Sequence, residues 1–211
     1  VDFVAQDLTP IVVYDPDDGN VTQFQTRFGK QYIYLGTKID LVLCQTPNSQ
    51  LATTGVSIAF QRAIMVRVIV LSNKRNISGT ETPNKDQTMW INQKNENTPF
   101  DPDANQILSS MTYKVDPKRF NVHYDRIHTI GGGGNTFGMK HVKIWVSGGK
   151  GGTKINCNDD LAGAGGQDKR YWVFWLAYDP EIVGSGIEPA PTVPPKIYKT
   201  SMTWKTYFKD P

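Results

Sequence analysis

Two of the chain's three histidines, an aspartate and two arginines stand together in RFNVHYDRIHTI (119–130). Imidazoles beside a carboxylate can hold a metal ion or pass a proton; cations on a strand face can hold phosphates. Alternation along a strand puts His123 and Asp125 on one face and His128 on the other, unless a bulge intervenes. The apolar set shifts phase from Phe120, Val122 and Tyr124 to Ile127, which points to such a bulge. A zinc site needs three or four ligands in tetrahedral array. The chain has no HxH, HExxH or CxxC pair, so no metal site is expected. His123, Asp125 and His128 are expected as strand-face residues satisfied by hydrogen bonds. His141, close to Lys140 and Lys143, reads as part of a basic patch.

Other candidate chemistry is weaker. A phosphate loop needs GxxxxGK followed by Ser or Thr at a strand-to-helix turn. SGGKGGTK (147–154) and GGGGNTFG (131–138) have the glycines, but neither has that register or a following helix. No GxSxG elbow offers a serine nucleophile. The carboxylates of DPDD (15–18) and of Asp159–Asp160 sit in loops. A glycosidase pair is set by distance in space, so a β-sandwich hydrolase stays as a minor alternative. The same acidic loops could bridge subunits through metal ions. No cofactor is expected.

The elements that position these residues are strands. QYIYLGTKIDLVLC (31–44) alternates late, with Ile39, Leu41 and Leu43 on one face and Lys38, Asp40 and Val42 on the other. RAIMVRVIVLS (62–72) is apolar on both faces, as in a strand covered on both sides, with Arg67 as its charged interruption. RFNVHYDRIHTI, KHVKIWVS (140–147), RYWVFWLAYD (170–179) and TSMTWKTYF (200–208) complete six clear strands. QTMWIN (87–92) is a doubtful seventh, and DPDANQILSSM (101–111) is the one fair helix candidate, with Pro102 near its first turn. Long polar or glycine- and proline-rich connections fill 73–106, 148–169 and 180–199. With no repeat and no composition break, the chain reads as one all-β domain, a sandwich or barrel. Connections this long suit a jelly-roll β-sandwich better than a tight up-and-down barrel.

Bulk properties agree. At 211 residues the chain needs no disulfide or metal staple, and 19 Gly with 13 Pro predict many turns. No apolar run approaches a membrane span. Cys44 and Cys157 read as free thiols of a reducing compartment. The net charge of +3 is mildly basic. NVT at Asn20 and NIS at Asn76 matter only in a secreted protein. Aromatics fall on both faces of several strands: Trp172, Phe174 and Tyr178 on one side, Tyr171 and Trp175 on the other, with Trp145, Trp204 and Tyr207 elsewhere. The second set needs a cover, either a neighbouring subunit or the long loops folded back.

RFNVHYDRIHTI, a glycine-rich turn and KHVKIWV together resemble the RFxVLYDKTxTL and lysine-hydrophobic stretch of capsid proteins from circovirus-like single-stranded DNA viruses. RYWVFWLAYD and the terminal SMTWKTYFKDP resemble that family's late strands, so the resemblance covers residues 118–211. It implies an eight-stranded jelly roll of two four-stranded sheets that self-assembles into an icosahedral shell. It also implies a virion location, assembly in the host nucleus or cytoplasm, no enzymatic activity, an unidentified host receptor and no membrane insertion. Family members begin with an Arg/Lys-rich arm; this chain begins at Val1 without one, so the arm is expected upstream. The cations expected to hold nucleic acid without base specificity are Arg62, Arg67, Lys114, Lys118, Arg119, Arg126, Lys140 and Lys143. A coat protein of a small RNA or satellite virus, and a secreted carbohydrate-binding jelly-roll module, remain the alternatives.

Overall fold

The computed structural model describes residues 3–8, 31–45, 63–74, 89, 111–131, 138–156, 168–178 and 198–209. These form eight strands and no helix: β1 (Phe3–Asp7), β2 (Gln31–Gln45), β3 (Ala63–Asn73), β4 (Phe120–Gly131), β5 (Met139–Ser147), β6 (Thr153–Asn156), β7 (Tyr171–Tyr178) and β8 (Tyr198–Lys209). Residues 101–110, where the sequence suggests a helix, lie outside the described residues. So does QTMWIN apart from Met89.

Two antiparallel sheets face each other. The first has the order β1-β7-β3-β4. In the second, β2 is central: β5 pairs with Gly36–Cys44, β6 with Gln31–Tyr34, and β8 with Ile33–Gln45. Because β5 and β8 pair with the same stretch of β2, they occupy opposite edges. At Tyr34 both Thr153 and Phe208 are partners, so β6 continues along the β5 edge.

Gly148 to Gly152 make that continuation possible. The Gly148 amide donates to the Leu35 carbonyl at 2.9 Å, and a Cβ on Gly148 would lie 2.2 Å from the Tyr34 carbonyl oxygen. Gly149, Gly151 and Gly152 all take positive φ, which glycine adopts without steric cost. The glycine-rich segment is therefore a detour between two strands. Its continuation, β6, corrects the reading of 148–169 as loop throughout; a four-residue strand is too short to leave a clear alternation.

The pairings nest. β3 pairs with β4, β2 with β5 and β6, and β1 with β7, each pair enclosing the previous one in sequence. The β3–β7 ladder completes the first sheet, and β8 lies outside the nesting on the free edge of β2.

Alternation decides the packing. Ile64, Val66, Val68 and Val70 of β3 and Val173, Trp175 and Ala177 of β7 meet Ile39, Leu41 and Leu43 of β2 and Val142, Ile144 and Val146 of β5 between the sheets. Tyr34 and Tyr171 stack across the layers at 4.3 Å. The Tyr34 hydroxyl donates to Thr37 Oγ1 at 2.9 Å, and burial pushes its pKa up to about 12. Ile69, Leu71, Trp172, Phe174 and Leu176 point the other way. They are covered by Met89, Met111, Val115 and Phe120. The two-faced apolar character of β3 and β7 thus has its cause: one face is core, and the other lies beneath residues of the β3–β4 connection.

Candidate nucleic-acid interface

β4 does contain a bulge. Its register against β3 shifts between Val70↔Tyr124 and Leu71↔Val122, leaving His123 as the extra residue. The bulge separates His123 from Asp125. His123 Nε2 lies 2.9 Å from the buried Ser72 hydroxyl, with the Tyr171 ring at 5.6 Å. His128 Nε2 lies 2.9 Å from the Tyr124 hydroxyl. Asp125 instead takes both bonds of a bidentate pair with Arg67, Nε at 2.7 Å and Nη2 at 2.6 Å. Ser72 and His123 thus have the spacing of a nucleophile and a base, but the carboxylate nearest in sequence is committed to an arginine.

Burial, then Lys169, holds His123 below the ordinary imidazole pKa. Burial, then Lys140 and Arg126, does the same for His128. No cluster of three or more His, Cys, Asp or Glu that could hold a metal occurs among the described residues. The acidic loops at 15–18 and 159–160 lie outside them. Cys44 is a free thiol, and Cys157 lies outside the described residues.

The cations expected at a phosphate surface fall into separate groups. Lys114, Lys118 and Arg119 are exposed in the segment entering β4. There Asp116 accepts the Lys118 amide at 2.8 Å and pairs loosely with Arg119 at 3.9 Å. Arg126 extends over the Tyr124 ring at 5.7 Å and, with Lys140, acts electrostatically on His128. Lys143 lies on another surface, the outward face of the second sheet. Arg67 does not join any of them: its side chain is 5% exposed and bound to Asp125, so it ties β3 to β4. Arg62 lies outside the described residues.

The outward face of the second sheet can be read row by row from the register. Lys205, Lys38 and Trp145 form one row; Tyr207, Gly36 and Ser147 the next; Lys209 and Lys154 flank Ile33 beyond them. On the other side of Lys38, Asp40 stands between Thr203 and Lys143. Trp145 is 55% exposed and Tyr207 38%, with ring centroids 5.7 Å apart. Lys205 Nζ lies 5.4 Å from the Tyr207 ring centroid. Asp40 is held below the usual carboxylate range, chiefly by its hydrogen bond from Lys38 and further by the charges of Lys38, His141 and Lys143.

Gly36 gives Trp145 its place. A Cβ there would come within 2.5 Å of the indole Cζ2 and 2.8 Å of Cη2, so the ring lies against bare backbone. Sequence reasoning left Lys38, Lys154, Lys205 and Lys209 out of the site. The signal was present in the lysine-aromatic alternation of KIWV and TWKTYFK, but only the pairing register brings the three strands into one surface.

No protein-family model matches the chain, and no curated protein matches it.

Proposed function

We propose that the chain is a capsid subunit: a jelly-roll sandwich that self-assembles into an icosahedral shell around a small single-stranded DNA genome. The nested pairing carries this reading. A long antiparallel hairpin wound into two layers gives such nesting, and that winding is how a jelly roll is built. The sequence resemblance over 118–211 points the same way. In the shell, each subunit repeats the same contacts about closed symmetry axes. The exposed cations Lys114, Lys118, Arg119, Arg126, Lys140 and Lys143 meet phosphates without reading sequence. An RNA genome would satisfy the same contacts.

The test is particle size, by light scattering and negative-stain microscopy, on protein expressed with whatever sequence precedes Val1. Uniform closed shells of many subunits are expected. A monomer across a range of salt and pH would contradict the reading. Within shells, the double variant Arg119→Ala, Arg126→Ala is expected to lower the absorbance ratio that reports packaged nucleic acid while leaving the melting curve unchanged.

The exposed Trp145–Tyr207 pair favours one second reading, a carbohydrate-binding module that stacks sugar rings. That reading predicts a small oligomer and affinity for neutral glycans that survives high salt.

A further inference from the structure

The outward face of the second sheet combines two features that each suit part of a nucleotide. Five of its lysines, Lys38, Lys143, Lys154, Lys205 and Lys209, are exposed. Among the described residues of its strands Asp40 is the one carboxylate, and it is already engaged by Lys38 at 3.2 Å and His141 at 3.4 Å. Asp168 stands at the β6 end of the face, where it accepts from the Asn156 side chain at 2.6 Å. Five lysines against these two aspartates leave a positive face on a chain whose total is only +3.

Trp145 and Tyr207 sit among these cations. The indole is seated on Gly36, which leaves its opposite side toward solvent. From the Lys143 row to the Lys209–Lys154 row, seven residues along β2, the surface runs roughly 23 Å at ~3.3 Å per residue. On the other sheet, by contrast, the outward face of β3 and β7 is covered.

We infer that this face is a platform for single-stranded nucleic acid, with bases stacked on Trp145 and Tyr207 and the backbone tracked by the flanking lysines. Stacking on aromatics within a basic surface is the way single strands are held without sequence preference. A duplex keeps its bases paired inside and cannot offer their faces to the indole. A neutral glycan would use the rings but leave five lysines without purpose. The inference deepens the nucleic-acid part of the proposed function, yet the platform does not need a shell in order to bind.

The experiment is an anisotropy titration with a labelled oligothymidylate, an abasic strand of the same length, a blunt duplex and heparin as competitor. The oligothymidylate is expected to bind at least roughly tenfold more tightly than the abasic strand, in keeping with one stacked base. Trp145→Ala removes that difference without unfolding the protein. Lys38→Ala and Lys205→Ala each lower the slope of log affinity against log salt by about 0.7, the value for one single-strand phosphate.

Equal binding of the base-bearing and abasic strands by the native protein would overturn the inference. So would a preference for heparin that Trp145→Ala leaves unchanged, because that pattern belongs to an anionic polysaccharide. Light scattering on the same samples separates the two proposals. Base-dependent binding by a protein that stays monomeric sinks the shell alone, and shells without base-dependent binding sink the platform alone.

Discussion

The two sheets treat the same kind of side chain in opposite ways. On β7, Trp172 and Phe174 turn away from the sandwich core and are buried beneath Met89, Met111, Val115 and Phe120. On β5 and β8, Trp145 and Tyr207 turn away from the same core and remain exposed. The covered face is almost wholly apolar. Its charged interruption, Arg67, is bound by Asp125. The open face alternates its aromatics with lysines. A covered apolar face is a matter of stability, whereas an open aromatic face among cations calls for a partner. Substitutions on the two faces should therefore have opposite signatures.

The largest effect is expected on the covered face. Phe174→Ala removes a fully buried ring and should cost about 3–5 kcal/mol, read as a shift of the urea midpoint at constant slope. A cost below ~1 kcal/mol, within the range of surface substitutions, would mean that the cover does not persist in solution. Asp125→Ala comes next. It takes the bidentate acceptor from a buried guanidinium and should cost about 2–3 kcal/mol, less than for a fully buried pair because Asp125 is 31% exposed. Chemical denaturation checks it, and Asp125→Asn should recover part of the loss.

A smaller effect depends on pH. His123 and His128 are both held below the ordinary imidazole value, mainly by burial. Below about pH 6.5 the unfolded chain takes up protons that the folded chain resists, so stability falls as pH is lowered through that range. His123→Asn should flatten this part of the curve, measured as melting temperature from pH 7.5 to 5, while an unchanged slope would place the titration elsewhere. On the open face the smallest stability effect is expected: Trp145→Ala should stay within about 0.5 kcal/mol of the native protein. Gly36→Ala sharpens the contrast. Its Cβ meets both the indole and the Val146 carbonyl oxygen at 2.8 Å, so it should weaken strand binding without removing a charge and, unlike Trp145→Ala, also lower the urea midpoint because backbone must shift.

Much of this contrast was legible in the sequence, and the missing part has a physical cause. Period-two patterning marks β2, β3, β4, β5, β7 and β8 because each is long and sets apolar residues of at least one face against the core. β1 and β6 are five and four residues long, too short for alternation to stand out. The phase shift in RFNVHYDRIHTI correctly announced a bulge in β4, but its position at His123 depends on the β3 register. Tyr171 and Trp172 look alike as sequence; Tyr171 is buried between the sheets, and only the cover from Met89 and the segment 111–120 decides that Trp172 is buried as well. Lys38 and Lys205 are 167 residues apart in sequence and direct cross-strand partners in the sheet. No local pattern contains that pairing, so the open basic face could be found only after the strands had been set side by side.

The most direct test of the account is photocrosslinking of the native protein to a single strand carrying 5-iododeoxyuridine, with the attached peptides identified by mass spectrometry. Adducts at Trp145 and Tyr207 that disappear at high salt are expected. Adducts confined to other aromatics, with Trp145 and Tyr207 unmodified, would contradict it.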